Sequence, residues 1–133
     1  MLDYSTCLKL KEAGFPQFGD GFALALDVSL PEPDQTVARI TWDRYVYIGA
    51  PRPAIYEPTL EELIEACGDV TIWKKNDKWH ATGEKGLELL VEYNMVNWQM
   101  DVRDVEELND RIFDGQTPIQ AVANLYLALA KSK

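Results

Sequence analysis

The stretch GQTPIQAVANLYLALA, residues 115–130, decides the fold of this chain. Thr117 can cap a helix, Pro118 suits its first turn, and Gln120 can reach back to the Thr117 backbone to complete a capping box. From Ile119 to Ala130 the stretch is almost entirely apolar. A helix that is apolar around most of its circumference must be covered by another layer. We therefore predict a core helix that packs against a sheet.

A second helix is predicted from Thr59 to Cys67. Thr59 and Glu62 have the spacing of another capping box, and Gly68 follows where a helix would end. The apolar residues recur at helical spacing and form one face: Leu60, Leu63, Ile64 and Cys67. This face is expected to join the core.

A hairpin is predicted between these two helices, with strands at 70–74 and 79–82 around Asn76-Asp77. An even loop places Lys74 opposite Trp79, Trp73 opposite His80 and Ile72 opposite Ala81. Alternation then assigns one face to the core: Val70, Ile72, Trp79 and Ala81. The opposite face carries Thr71, Trp73, Lys75, Lys78, His80 and Thr82.

The stretch from Leu87 to Tyr93 is predicted as a third strand, because apolar and polar residues alternate there and Gly86 precedes it. The same stretch also fits helical spacing, with Leu87, Leu90, Val91 and Asn94 on one face. Asp101–Phe113 is predicted as an acidic amphipathic helix.

The N-terminal part reads as a short helix followed by a β-rich region. Ser5–Ala13 is predicted as the helix, ended by Gly14 and a Schellman contact between Phe15 and Leu10. Periodicity leaves residues 22–26 open between strand and helix, whereas Thr36–Trp42 and Tyr45–Ile48 are predicted as strands.

The whole pattern predicts an α+β fold. A three-stranded antiparallel sheet packs against two helices in the order α-β-β-β-α, with an N-terminal β-rich extension and an extra acidic helix. The length of 133 residues predicts a single domain over residues 1–133.

Composition limits the compartment in which the protein is expected and the partners that it can bind. The chain has no apolar run long enough to span a membrane and no basic-then-apolar leader at its start, so we expect a soluble protein of the cytoplasm. Its net charge is -9, from 22 acidic and 13 basic residues. Such a charge repels phosphate backbones and argues against direct nucleic-acid binding, but it is compatible with a basic protein partner.

Catalytic constellations are scarce in the sequence. His80 is the single histidine, and the two isolated cysteines, Cys7 and Cys67, are typical of buried thiols in a reducing compartment. The carboxylates of Asp101–Asp114 fit a solvated helix face, and no glycine-rich phosphate loop is present. We expect no catalytic residue, no metal site and no cofactor, and hence a protein that is not an enzyme.

The far face of the hairpin is the candidate binding surface. It places Trp73 beside Lys75, Lys78 and His80, and exposed aromatic residues flanked by charge are typical interface anchors. The alternative is a structural Trp73, covered by residues 17–56. A homo-oligomer is a further expectation, with Trp98 and Met100 as candidates for a dimer patch.

Three blocks of the sequence are LKEAGFPQ at 10–17, YEPTLEELIEACG at 56–68, and GQTP at 115–118 followed by AVANLYLAL at 121–129. In this order and combination they resemble small uncharacterised proteins of bacteriophages and prophages. That group has no established activity, so the resemblance implies no catalytic residue. The insert from Leu87 to Asp114 departs from it, because related sequences tend to be shorter there.

Two weaker resemblances concern the fold alone. The GxTPxxAV start of the last helix is similar to the last helix of HicB-type antitoxin domains. The order helix, three strands, helix is also that of double-stranded-RNA-binding domains, which contact phosphates through basic side chains at the start of the last helix. Residues 117–120 contain no lysine or arginine here.

The leading hypothesis is a non-enzymatic accessory or protein-binding protein of phage or prophage type in the bacterial cytoplasm. One alternative is an acidic mimic of nucleic acid that inhibits a host protein, which requires carboxylates in rows at phosphate-like spacing. The other is a small enzyme, which requires a deep pocket with at least two titratable groups.

Overall fold

A computed structural model of the chain describes residues 2–26, 36–49, 54–96 and 102–131. In these residues the chain has an α+β fold, as the sequence predicts, and it contains two three-stranded antiparallel sheets. It forms two compact units, Leu2–Thr59 and Leu60–Lys133, while the single domain over 1–133 stays a prediction. The dimer patch predicted at Trp98 and Met100 lies outside the described residues. No helix in the described ranges is both long enough and apolar enough to cross a membrane.

The first unit contains a helix, a strand pair, a second helix and a third strand. In chain order these are α1 (Tyr4–Glu12), β1 (Phe22–Leu26), β2 (Val37–Thr41), α2 (Trp42–Ile48) and β3 (Ile55–Glu57), and the sheet order is β2-β1-β3. The end of α1 confirms the predicted Schellman contact, because the Phe15 N–H donates to the Leu10 carbonyl at 2.9 Å and Gly14 has φ 94°. The open choice at residues 22–26 is resolved as strand.

The predicted strand at Tyr45–Ile48 is wrong, because these residues belong to helix α2. Gly49 has φ 64° and donates its N–H to the carbonyls of Tyr45 and Val46, each at 3.2 Å. A glycine in the left-handed conformation ends a helix in this way, so the residue that suggested the end of a strand is a helix cap. The predicted strand at Thr36–Trp42 is confirmed over Val37–Thr41 as β2, whereas Trp42 begins helix α2.

A buried ion pair ties the start of the first unit to its sheet. Glu57 is 2% exposed, and its carboxylate lies 2.9 Å from Arg39 Nε and accepts a hydrogen bond from Arg39 Nη2 at 3.1 Å. The backbone N–H of Leu2 donates to the same carboxylate at 2.8 Å. A buried carboxylate is tolerated only when it is paired and hydrogen-bonded, so these contacts are required together.

The second unit contains the predicted core helix and its sheet. In chain order its elements are α3 (Leu60–Cys67), β4 (Thr71–Lys75), β5 (Lys78–Thr82), α4 (Glu84–Val96), α5 (Val102–Asp110), β6 (Ile112–Gly115) and α6 (Pro118–Lys131), and the sheet order is β4-β5-β6. The predicted Thr117 cap is confirmed, because the Gln120 N–H donates to Thr117 Oγ1 at 3.2 Å, whereas the Gln120 side-chain amide donates to Asn124 Oδ1 at 3.1 Å. Helix α6 packs on β5 and β6, and α3 packs on α6.

The hairpin has the predicted register. Asn76 and Asp77 have φ of 54° and 61°, which is the conformation of a two-residue type I′ turn. Trp73 pairs with His80, and Lys74 pairs with Trp79. The two-residue turn fixes the register of the two strands, and the register determines which side chains share a face.

The predicted third strand at Leu87–Tyr93 is wrong, because these residues form the middle of α4. The run Leu89-Leu90-Val91 satisfies both periodicities, and its glutamate and leucine neighbours favour a helix. The third strand is β6 instead, so two helices lie between the second and third strands. The predicted acidic helix at Asp101–Phe113 is real but ends at Asp110, because the residues from Ile112 pair with β5.

The second unit has three layers. Alternation puts Ala81 and its neighbour Phe113 on the face that α6 covers, where Phe113 shares a groove with Leu125. The opposite face carries Trp73 and His80, and α4 and α5 lie over it against β5 and β6. The far face of the hairpin is therefore the floor of a space beneath two helices.

Candidate functional site

The floor of the candidate site is built on the paired residues Trp73 and His80. Their rings are stacked, with centroids 5.5 Å apart and an interplanar angle of 18°. Both side chains are half-buried. The neighbouring strand β6 adds Ile112 and Asp114, which pair with Thr82 and His80. The result is an aromatic and apolar surface with charged groups at its margin.

Helices α4 and α5 form the walls of a cleft of about 550 Å³ over this floor. The floor residues that line it are Trp73, Lys75, His80, Ile112 and Asp114. The wall residues are Leu90 and Tyr93 from α4, and Val105, Leu108 and Asn109 from α5. Clefts of this size, mostly apolar with a few polar groups, are typical of ligand and side-chain binding sites. We call this space the hairpin cleft.

Positive charge lies at the margin of the hairpin cleft. Lys75 and Lys78 are directly opposite each other across the hairpin, and both are exposed. Lys78 Nζ lies 3.5 Å from the Asp114 carboxylate, with both side chains about half exposed. Such an exposed ion pair contributes little to stability, so these groups remain accessible to a binding partner.

Three of the four residues predicted for binding line the hairpin cleft: Trp73, Lys75 and His80. Lys78 reaches its margin through Asp114. Their role in binding stays a prediction, but the structure brings them together.

The covering of the hairpin by α4 and α5 was not predicted, although the sequence predicts a helix at α5 and leaves a helix open at Leu87–Tyr93. Leu90 and Tyr93 line the cleft, and Gly86 and Leu89 are buried nearby on the same helix. The helical spacing of these four residues is the signal that identifies α4.

The titratable groups of the hairpin cleft are Lys75, His80, Tyr93 and Asp114. Among the residues that the structure describes, no hydrogen bond joins any of these four side chains to another. The described part of the chain also holds no group of three His, Cys, Asp or Glu side chains placed to bind a metal ion. The cleft thus combines charge with apolar surface, without an assembled acid–base pair.

Helix α2 of the first unit carries a second apolar surface. Val46, Tyr47 and Ile48 are 60%, 91% and 56% exposed. Contiguous exposed apolar residues of this kind mark interaction surfaces in many proteins. The hairpin cleft is the stronger candidate, because it adds concave shape and charged groups to apolar area.

Both cysteines have the character of structural thiols. Burial, together with the nearby carboxylate of Glu57, raises the pKa of Cys7 to about 12. Burial raises the pKa of Cys67 to about 11, and its Sγ lies 4.0 Å from the carbonyl oxygen of Val122. Cys67 therefore belongs to the α6 side of the sheet, whereas His80 lines the cleft on the other side, and no Cys–His pair forms between them.

The native protein is expected to react slowly with Ellman's reagent at about pH 8. Only the thiolate attacks the reagent, and a pKa raised to about 12 or 11 leaves a thiolate fraction of roughly 10⁻⁴ or 10⁻³ at that pH. Labelling should be at least ~100-fold faster in concentrated guanidinium chloride, and Cys7 should react more slowly than Cys67. The variants Cys7→Ala and Cys67→Ala assign the two phases. Rapid labelling of the native protein would contradict burial as the cause.

Comparison of the chain with protein-family models, with curated proteins and with solved structures finds no match.

Proposed function

We propose that the protein is a non-enzymatic protein-binding or accessory protein, and that the hairpin cleft receives an apolar side chain of its partner. The observation that carries the proposal is the stacked Trp73–His80 floor beneath apolar walls. Aromatic residues in concave, partly desolvated sites supply much of the energy of protein interfaces. The resemblance to small phage and prophage proteins supports a place in the bacterial cytoplasm.

An acidic mimic of nucleic acid receives less support. Such a mimic needs unbroken rows of carboxylates, and the acidic helix α5 would be the natural row. Arg103 lies within α5, and Arg111 follows it with its Nη2 3.1 Å from the Glu107 carboxylate. Positive charges therefore interrupt this surface, and Lys75 and Lys78 do the same beside the cleft.

An enzymatic role also receives less support than binding. The hairpin cleft holds four titratable side chains, which exceeds the minimum of two for acid–base chemistry. A general base must reach the proton it abstracts and is usually oriented by a second group. Among the described residues, no hydrogen bond orients His80, so a surface for recognition accounts for the cleft more simply.

Trp73→Ala is expected to weaken partner binding by about 30-fold, which corresponds to about 2 kcal/mol for an aromatic anchor. The partner is first sought by affinity capture of proteins from bacterial lysate on the immobilised wild-type chain, with identification by mass spectrometry. Calorimetry with the purified partner then compares the variants. Trp73→Phe should retain most of the affinity, because an aromatic ring remains in the floor.

Tyr47→Ala is the matched control, because it removes an aromatic ring that is 91% exposed and lies in the other unit. It should leave capture unchanged. A partner that is lost with Tyr47→Ala and kept with Trp73→Ala would assign the interface to α2 and overturn the proposed role of the cleft. Thermal unfolding of each variant separates lost binding from lost folding.

A further inference from the structure

The tip of the hairpin is a positively charged segment in an acidic protein. The chain carries a net charge of -9, whereas the segment KKNDK at 74–78 contains three lysines and one aspartate, which leaves +2. All five residues of this segment are exposed. Screening limits the reach of surface charges to about 10 Å at 0.1 M salt, so a ligand at the tip responds mainly to these lysines.

Two of the three lysines belong to the cleft side of the hairpin. Lys75 and Lys78 form a cross-strand pair on the face that carries Trp73 and His80, whereas Lys74 lies over the Trp79 ring, 5.9 Å from its centroid, on the other face. Like charges directly opposite each other destabilise a sheet. Asp114 offsets this repulsion at Lys78, but among the described residues Lys75 makes no ion pair.

We infer that the hairpin cleft recognises an acidic segment of a partner protein that carries an aromatic residue. The aromatic side chain lies on the Trp73–His80 floor, and neighbouring carboxylates bind Lys75 and Lys78. Charge complementarity selects this chemistry, because a carboxylate over Lys75 relieves the lysine–lysine repulsion, while a basic segment would increase it. The inference rests on the proposed function and specifies the class of partner.

Acetylated and amidated pentapeptides test this chemistry on the full chain. The probes are EEFEE, QQFQQ, KKFKK and EEAEE, titrated into the ¹⁵N-labelled protein while the Trp73 indole and the amides of residues 73–80 are followed by NMR. At about 20 mM salt, EEFEE should bind about fivefold more tightly than QQFQQ and at least tenfold more tightly than KKFKK. EEAEE lacks the aromatic ring and should lose most of the binding. Added salt should reduce the difference in affinity between EEFEE and KKFKK.

Lys75→Glu and Lys85→Glu form a matched pair, because each changes the net charge equally and both lysines are exposed residues of the same unit. Lys75→Glu places an opposite charge across from Lys78, so it should fold, and it should weaken EEFEE binding about fivefold. Lys85→Glu, which lies outside the cleft, should change it by less than about twofold.

The inference is overturned if QQFQQ or KKFKK binds the cleft as tightly as EEFEE, or if the two glutamate variants behave alike. In that case the proposed function survives, because the cleft still binds peptide. If no probe perturbs Trp73 or His80 while captured partners still depend on Trp73, the acidic–aromatic chemistry is wrong. If capture also yields no Trp73-dependent partner, the proposed function fails with it.

Discussion

Glu57→Ala is expected to lower the free energy of unfolding of the first unit by about 3 kcal/mol. The substitution leaves the Arg39 guanidinium without its carboxylate and the Leu2 N–H without its acceptor. Removal of one partner from a buried pair typically costs about 3–5 kcal/mol, and the partial exposure of Arg39 places the effect at the lower end. Urea unfolding, with amide exchange of the β1–β3 pairs as the local readout, measures the loss.

The origin of this loss is tested by a double-mutant cycle. Arg39→Ala alone should also lower the free energy of unfolding, because it leaves the buried Glu57 carboxylate without its cation. The loss in the double variant should be about 1–3 kcal/mol smaller than the sum of the losses in the two single variants. Glu12→Ala removes an exposed carboxylate at the end of α1 and should change stability by no more than about 0.5 kcal/mol. Equal effects of Glu12→Ala and Glu57→Ala would show that the ion pair does not stabilise the unit.

Local chemistry made part of this fold predictable. Thr117 and Pro118 specify the start of α6, and the Asn76-Asp77 turn specifies the hairpin and its register. Both signals act between residues that are close in sequence. Because the register determines the faces, the floor of the hairpin cleft at Trp73 and His80 followed directly from the sequence.

The walls of the cleft depend on contacts between distant residues. Strand β6 has four residues, and Ile112 and Phe113 suit the apolar stripe of a helix as well as a strand. Only pairing with β5 selects the strand, and this leaves Leu87–Tyr93 free to form α4. Periodicity shows which side of an element is apolar, but it does not show which element will cover it. The strand predicted at Tyr45–Ile48 is wrong for the same reason.

Gly86→Ala is expected to destabilise the second unit by about 2–3 kcal/mol and to displace α4. A Cβ at this position would overlap Thr82 Oγ1 and lie 3.3 Å from the Arg111 Cβ. Thr82 is fully buried, and its hydroxyl donates to the Arg111 carbonyl at 2.7 Å, so it cannot turn away without losing that hydrogen bond. Alanine favours a helix over glycine by only about 1 kcal/mol, so the overlap outweighs the gain in helix propensity.

Gly83→Ala is the control for this prediction, because a Cβ there meets only the Asp69 carbonyl oxygen at 3.9 Å. The free energy of unfolding of Gly83→Ala should stay within about 1 kcal/mol of the wild-type value. This margin includes the preference for glycine over alanine before a helix. Thr82→Ala should partly rescue Gly86→Ala, because it removes the overlapping hydroxyl. If Gly86→Ala is as stable as Gly83→Ala, the close packing of α4 on β5 is wrong.

Gly86→Ala also tests whether the packing of α4 on β5 shapes the hairpin cleft. Leu90 and Tyr93 stand on α4 one and two turns beyond Gly86, so a shift of the helix away from Thr82 moves the wall off the Trp73–His80 floor. Gly86→Ala should therefore weaken EEFEE binding by at least fivefold at a temperature where the protein is still folded, although residue 86 does not line the cleft. Unchanged binding in a folded, destabilised Gly86→Ala protein would mean that the floor and the lysines recognise the peptide without the helical wall.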